Sequence, residues 1–335
     1  MGLPEMKQCC GPISELCLET TPTAHSGFVL GTAQLGMNYG RVNRAGKPTQ
    51  QIAIQMLRYA VAYGVTAIDT ARSYGDAECV IGDALTGSWG SRTHVITKLD
   101  LSNVDENAPE SELVRRVDAS IAASCGALRS QKLDTVLLHD WADRHLWHGA
   151  AWQRLCEHQV DRRISLLGAS VYYPHEALAA LSDPAIQHLQ IPMNILDWRW
   201  KDFGRAVNQR SDVVVHARSA LLQGILANPP EVWPVVPDFN NAECAERLQT
   251  LSKKFGRESV ADLCLAYVRS LQWITGVVVG CETLDQLEQN LQLFALPKLS
   301  SEEVQELEHA LPKASEELLN PAKWELLEQK AAYAG

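Results

Sequence analysis

The sequence predicts an α/β fold, a closed (β/α)8 TIM barrel, and three observations carry that expectation. Eight short apolar runs recur along the chain, with helical patterns between them. The runs are mostly continuous in apolar residues rather than alternating, as in parallel strands buried on both faces. Three successive runs end at or beside polar, titratable side chains, and strand C-termini in such a barrel converge on the mouth where these folds do chemistry. Strand then helix, repeated, selects a barrel over a bundle or a sandwich. The rival is a doubly wound open sheet, but no Gly-x-Gly-x-x-Gly follows the first run.

The predicted strands are Phe28–Gly31, Ala67–Asp69, Val95–Lys98, Thr135–His139, Leu166–Ser170, Leu189–Pro192, Val213–Ala217 and Val277–Gly280. Ile52, Met56 and Ala60 mark one helical face ahead of the second strand, and Gly64 reads as the stop. Leu113, Val117, Ile121 and Cys125 recur every four residues after the third strand. Val260, Cys264 and Tyr267 mark the helix before the eighth strand. Two helices are expected near the C-terminus. Ser300-Ser301-Glu302-Glu303 is a capping-box signature for the first, and Asn320-Pro321-Ala322-Lys323-Trp324 opens the second. Residues 1–26 show no sustained period, so the expected organisation is an appended segment 1–26, a barrel 27–299 and a helical extension 300–335.

At 335 residues, one barrel of roughly 250 residues with extensions needs no second core. Hydrophobic residues at 46 % and charged residues at 21 % exclude disorder as the main theme. A formal charge of −10 argues against nucleic acid or an anionic membrane surface as partner. No apolar run is long enough for a membrane span. The start lacks a basic region followed by an apolar one, so no export signal is read. Nine cysteines without Cys-x-x-Cys spacing support neither a disulfide framework nor a zinc site. His145 and His148 lack further ligands nearby, so no metal is expected. A cytoplasmic protein with reduced thiols is the expectation.

Asp69 and Tyr74 lie at and just beyond the second strand, Lys98 ends the third, and His139 ends the fourth. A tyrosine is ordinarily a poor acid, with a pKa of about 10. A neighbouring ammonium favours the phenolate, and a carboxylate paired to that ammonium holds it in place. Hydride attack on a carbonyl puts negative charge on oxygen, which needs a proton donor and a second hydrogen-bond donor. Tyrosine, lysine, aspartate and histidine together can meet that need. Any one of them alone is more commonly a barrel-rim hydrogen bonder.

The fragments Leu30-Gly31-Thr32-Ala33-Gln34-Leu35-Gly36, Asp69-Thr70-Ala71 with Tyr74-Gly75, Thr97-Lys98, Leu137-Leu138-His139, and Gly280 followed by Gln286-Leu287 and Asn290 stand in one order and spacing. In that combination, from about Gly27 to about Leu296, the chain resembles the aldo-keto reductase superfamily. The resemblance implies a nicotinamide cofactor, NADH or NADPH, lying across the C-terminal mouth. It implies Tyr74 as general acid, Lys98 and Asp69 as the groups that tune it, and His139 as the group that orients a small carbonyl substrate. It places cofactor contacts at Gly31, Thr32, Ala33, Ser170, Gln190, Arg218, Ser219, Leu221, Gly224, Gly280, Glu282, Thr283, Gln286 and Asn290. Val171 stands where the family often has asparagine, which puts one amide contact in doubt.

Two further departures bear on the cofactor. Arg218 stands where many relatives put an aromatic residue. A guanidinium plane can stack on a nicotinamide ring, favouring the neutral reduced form, or it can turn to bind a substrate anion or a carboxylate. Glu282 and Asp285 stand where the superfamily often neutralises a 2′-phosphate. Glu282 can instead accept a hydrogen bond from a free 2′-hydroxyl, which leans the expectation toward NADH. The plain alternative is an exposed Glu282 with another base on the phosphate.

Substrate candidates are Tyr39, Trp141, Trp198 and Arg199 on mouth loops, where aromatic faces flanked by polar groups suit sugar-like carbonyl compounds. Ordinary hydrophobic packing is the other fate open to the tryptophans. The basic loop Asn38–Lys47 can hold an anion or be merely solvated. The leading expectation is a nicotinamide-dependent oxidoreductase acting on an aldehyde or ketone. The alternative, from the similarity to the KidO-like branch that includes a cell-division regulator, is an NADH-binding regulatory protein acting through protein partners.

Overall fold

The computed structural model describes residues 27–101, 104–105 and 108–325; the predicted appended segment 1–26 lies outside them, as do residues 326–335. The chain runs β1 (Phe28–Gly31), α1 (Ala33–Gly36), α2 (Gln50–Ala62), β2 (Ala67–Asp69), α3 (Ala77–Ala84), β3 (His94–Leu99), α4 (Glu110–Ala127) and β4 (Leu133–Leu138). It continues through α5 (Ala150–Val160), β5 (Ile164–Ser170), α6 (Pro174–Leu181), β6 (His188–Pro192), α7 (Lys201–Val207) and β7 (Val214–Arg218). It then forms α8 (Asn241–Lys254), α9 (Val260–Ser270), β8 (Gly276–Gly280), α10 (Leu284–Ala295), α11 (Ser301–Ala310) and α12 (Glu316–Leu319). The strands are parallel and close in sequence order, β8 pairing β1 with Leu30 opposite Val279. This is the (β/α)8 barrel the sequence predicts.

Helix starts follow from their capping residues. Thr49, Asn240, Ser259 and Thr283 each accept a bond from the backbone N–H three residues on, opening α2, α8, α9 and α10. Ser300 and Glu303 form the reciprocal capping box of α11. Gly64, at φ +88°, ends the α2 segment as expected. β1 and β2 fall on their predicted bounds, and the bounds of the other strands move by one or two residues. β4 stops at Leu138, the last residue in register with β3 and β5, and His139 beyond it still donates its backbone N–H to the Leu99 carbonyl at 3.2 Å. β7 extends to Arg218, paired with Pro192. The helix expected to open at Asn320 is preceded by α12; Asn320 caps a 3-10 turn over Pro321–Lys323, and Trp324 and Glu325 go on as helix to the last described residue.

Residues one way along each strand pack outward against the helices; Leu30, Ile68, Val136, Leu167, Leu189 and Val215 belong to that large core. Residues the other way fill the barrel. Val29, Ile96 and Leu137, with Ala67 and Val278, make a separate apolar cluster there. The β6–β7 side is polar instead. His188, Gln190 and His216 are buried, and the two imidazoles meet edge to face at 4.4 Å. Gly276 makes room for them, since a Cβ there would lie 2.9 Å from the His216 ring. No helix among the described residues is long and apolar enough to cross a membrane.

Burial, with His94 and Lys98 opposing it further and Asp69 offsetting in part, lowers His216 from its ordinary 6.5 to about 4. Burial and the neighbouring His216 push His188 well below the same value. The unfolded chain therefore takes up protons near pH 6.5 that the folded chain refuses. Urea unfolding free energy is expected to fall as pH drops from 6.5 to 4, by at most about 1.4 kcal/mol per pH unit for each imidazole. His216→Leu is expected to make that slope shallower. An unchanged slope would assign the acid lability to carboxylates.

Candidate active site

At the C-terminal rim, β2 ends in Asp69 and β3 brings Lys98 beside it. Lys98 is 1 % exposed and Asp69 is 3 % exposed. The ammonium lies 2.8 Å from both carboxylate oxygens and donates to the Thr70 carbonyl at 3.0 Å. Its Nζ is 3.4 Å from the Tyr74 hydroxyl and 4.9 Å from the centre of that ring. Burial by itself drives a lysine toward its neutral form. Here the Asp69 carboxylate and the Tyr74 hydroxyl outweigh it, and the Lys98 pKa is raised above its ordinary value. Asp69 also accepts from the Gln190 amide at 2.6 Å.

Tyr74 is presented by a tight turn after β2. A Cβ on Gly36 would fall 1.9 Å from the Tyr74 carbonyl oxygen, and one on Gly75 would fall 2.3 Å from the Gly36 oxygen. Gly75 also has φ +58°, so this crossing of two backbones admits no side chain at either position. Behind the turn, Glu78 is 2 % exposed, accepts from Thr97 Oγ1 at 2.7 Å and pairs with Arg72. Arg72 donates its own N–H to the Lys98 carbonyl at 3.3 Å. A buried carboxylate thus ties the tyrosine turn to the strand that carries the lysine.

His139 follows β4, and its ring stands nearly perpendicular to Tyr74, with centroids 6.0 Å apart. Nδ1 is 3.2 Å from Ser73 Oγ. Burial, then the charge of Lys98 and more weakly that of Arg218, lower its pKa to about 4 against the pull of Asp100 and Asp69. The imidazole is therefore neutral near pH 7, with one nitrogen able to donate and one able to accept.

The four side chains open onto one cleft of about 430 Å³. Of the residues expected at a cofactor, Gly31, Thr32, Ala33, Ser170, Gln190, Arg218, Ser219, Leu221, Gly224, Gly280, Glu282, Gln286 and Asn290 line it. Thr283 does not. Its hydroxyl caps α10 by accepting from Gln286 N at 3.2 Å. Gln286 and Asn290 fix the segment after β8: Glu282 N donates to Gln286 Oε1 at 2.8 Å, and Asn290 bonds Cys281 Sγ. After β7 the backbone is strained, with Ser219, Leu222 and Gln223 at φ +63°, +48° and +51°. The guanidinium of Arg218 lies 4.4 Å from the centre of the Tyr172 ring, and its Nη2 donates to the Val171 carbonyl at 3.3 Å.

Tyr172, Gln34, Gln223 and Asn228 also line the cleft and were not anticipated. Tyr172 was within reach of sequence reasoning, because carrying the two-residue period past Ser170 places it on the same side. Gln223 depends on a left-handed backbone that no local pattern announces.

Of the substrate candidates, Tyr39 lines the cleft. Burial, with Tyr74 and Tyr172 nearby, raises its hydroxyl above its ordinary pKa, while Arg218 and Gln223 pull it the other way. Trp141, Trp198 and Arg199 are not brought there. Trp141 is 6 % exposed and packs into the outer core. Trp198 donates to the Ile195 carbonyl at 3.3 Å, with Lys201 and Lys313 each 5.4 Å from its ring. Arg199 is spent on Asp197 through bonds of 2.8 and 2.7 Å, because that carboxylate is 1 % exposed and needs the charge. In the basic loop, Lys47 pairs with Asp76 at 2.6 Å and Arg41 donates to the Val232 carbonyl at 2.7 Å.

Residues 28–312 match the model of the aldo/keto reductase family. The chain is 26 % identical to Protein tas of Escherichia coli strain K12, over 85 % of this chain and 95 % of that protein. It is 32 % identical to the D-arabinose 1-dehydrogenase of Saccharomyces cerevisiae over 34 % of this chain and 33 % of that one. Among solved structures, the holo form of the aldo-keto reductase AKR11C1 from Bacillus halodurans superposes with a TM-score of 0.69 at 19 % identity. That match covers 89 % of this chain and 98 % of the other, and at this identity it speaks for the fold. With the barrel closed, the family model matched across most of its length and a cleft at the expected rim, the chain belongs to the aldo/keto reductase family and is a nicotinamide-dependent oxidoreductase.

Proposed function

We propose that this protein reduces a small, polar aldehyde or ketone to the alcohol, with NADH as the preferred donor and Tyr74 as the general acid. The supporting observation is the Lys98 ammonium, clamped by Asp69 and 3.4 Å from the Tyr74 hydroxyl at the edge of the cleft. As the carbonyl carbon is reduced, charge gathers on its oxygen. Tyr74 gives that oxygen the phenolic proton, and the buried ammonium stabilises the phenolate left behind. Neutral His139 faces the same point and can donate a second hydrogen bond.

The residues present suit a nicotinamide. Gly31 and Gly280 leave bare backbone on the floor of the cleft, where a Cβ on Gly280 would fall 2.4 Å from the Gln34 side chain. Gln190 Oε1 is buried without a partner among the described residues, an acceptor left for a carboxamide N–H. Ser170, Gln190 and the segment Ser219–Gly224 would hold the dinucleotide on one side, and Glu282 with Gln286 and Asn290 on the other. Bound there, the reduced ring supplies the hydride. Glu282, oriented by Gln286, would accept from a free ribose 2′-hydroxyl and repel a 2′-phosphate.

Tyr39 and Tyr172 favour a hydroxylated substrate over a plain hydrocarbon one, and the name of the arabinose-oxidising relative points the same way. An alternative role, NADH-dependent regulation through protein partners, draws support from the C-terminal segment. Glu316 accepts from Tyr173 at 3.1 Å and Trp324 packs under Arg41, so this segment contacts residues next in sequence to the cleft-lining Tyr172, Gly40 and Val42. Tight NADH binding without turnover of any aldehyde would favour that role.

Tyr74→Phe is expected to lower kcat by roughly 100- to 10,000-fold while NADH still binds, as measured by fluorescence titration. Loss of NADH binding in place of kcat would remove the tyrosine from the proton step. The apparent affinity for NADH is expected to exceed that for NADPH. Glu282→Lys should shift the ratio toward NADPH by about tenfold, the factor that 1.4 kcal/mol gives. A strong NADPH preference in the unaltered protein would count against the assignment of Glu282.

A further inference from the structure

The cleft is lined by two cationic side chains, Lys98 and Arg218. Lys98 is consumed by Asp69. Arg218 is different: among the described residues no carboxylate pairs with it. Its guanidinium is half-buried, rests on the Tyr172 ring and uses Nη2 on the Val171 carbonyl. Five N–H donors sit on this planar group, so most of the fork remains unspent. A cation taken partly out of water with so few partners is costly unless a ligand completes its shell.

Its position gives the ligand a place. Arg218 lines the same cleft as Tyr39, Tyr74 and His139, and its charge is felt at His139 and at the Tyr39 hydroxyl. The guanidinium is held from turning away by the Tyr172 ring on one face and the Val171 carbonyl at one edge. A planar fork fixed in this way matches a carboxylate or a phosphate through paired N–H···O bonds. Tyr39, on the same cleft, can add a hydroxyl donor.

We infer that Arg218, backed by Tyr172 in the cleft that Tyr39 also lines, is the specificity-determining residue for a carbonyl substrate that carries an anionic oxy group, a carboxylate or a phosphate. This rests on the reductase reading above and deepens it. Reduction leaves the anionic group untouched: the carbonyl carbon gains the hydride, its oxygen gains the Tyr74 proton, and the product is the corresponding hydroxy acid or hydroxyalkyl phosphate. Arg218 is a binding residue here and takes no part in the proton transfer.

Matched pairs test the inference: glyoxylate against glycolaldehyde, succinate semialdehyde against butanal, and glyceraldehyde 3-phosphate against glyceraldehyde, each with NADH. In at least one pair the anionic member should have the larger kcat/KM, by roughly 10- to 100-fold for hydrogen bonds to a charged group. The pair that shows the effect tells carboxylate from phosphate. Arg218→Leu should bring that ratio close to one, and Arg218→Lys should keep only part of it, having the charge without the fork. No anionic preference in any pair overturns the inference, and so does a ratio unchanged in Arg218→Leu. If Arg218→Leu weakens NADH binding and leaves the ratio alone, the guanidinium serves the dinucleotide and the inference fails. If no carbonyl compound is turned over, the reductase reading fails instead. Calorimetry with oxalate and with inorganic phosphate on the NADH complex, unaltered against Arg218→Leu, then decides the anion site by itself. Binding that needs Arg218 supports it, and no such binding overturns it.

Discussion

The chemistry of this barrel rests on one ammonium kept charged where water cannot reach it. Moving a lysine side chain into a barrel interior favours losing the proton, and only a close anion with good geometry reverses that. Asp69 provides it through two equal contacts of 2.8 Å, and the Thr70 carbonyl takes the remaining direction. The charge so preserved faces the Tyr74 hydroxyl. Removing either partner of the pair would leave an uncompensated buried charge.

The scaffold is arranged around keeping that unit still. Gly36 and Gly75 let two backbones cross at the tyrosine turn, and Glu78 joins Arg72 to Thr97, next in sequence to Lys98. Inside the barrel the filling is asymmetric. The sector from β8 through β4 packs apolar side chains at mid-height, while β6 and β7 place His188, Gln190 and His216 there. Gln190 links this polar half to the rim carboxylate by donating to Asp69. The imidazoles below are held neutral by burial, so no second positive charge competes with Lys98 for Asp69 near pH 7.

The local patterns of the chain foretold the strands closely. β1 and β2 fall on the predicted residues, and the helix stop at Gly64 and the box at Ser300 follow from backbone chemistry that involves few neighbours. Asp69, Lys98 and His139 stood out because a titratable side chain ending an apolar run is informative by itself. Trp141, Trp198 and Arg199 stood out for a weaker reason, residue type on a loop after a strand. A loop can turn its side chains inward to the core or across to a neighbour, and Arg199 was drawn to the buried Asp197 nearby.

By itself the sequence determined the eightfold strand and helix order, the aspartate, tyrosine, lysine and histidine of the rim, and the membership these imply, because each is written in short-range periodicity or in a few spaced residues. Only the tertiary structure decided which loop residues reach the cleft. Tyr172 and Gln223 enter it, the tryptophans leave it, and Arg218 settles against Tyr172. Those outcomes depend on contacts between strands and loops far apart in the chain, where burial and charge pairing, not local propensity, choose the direction of a side chain.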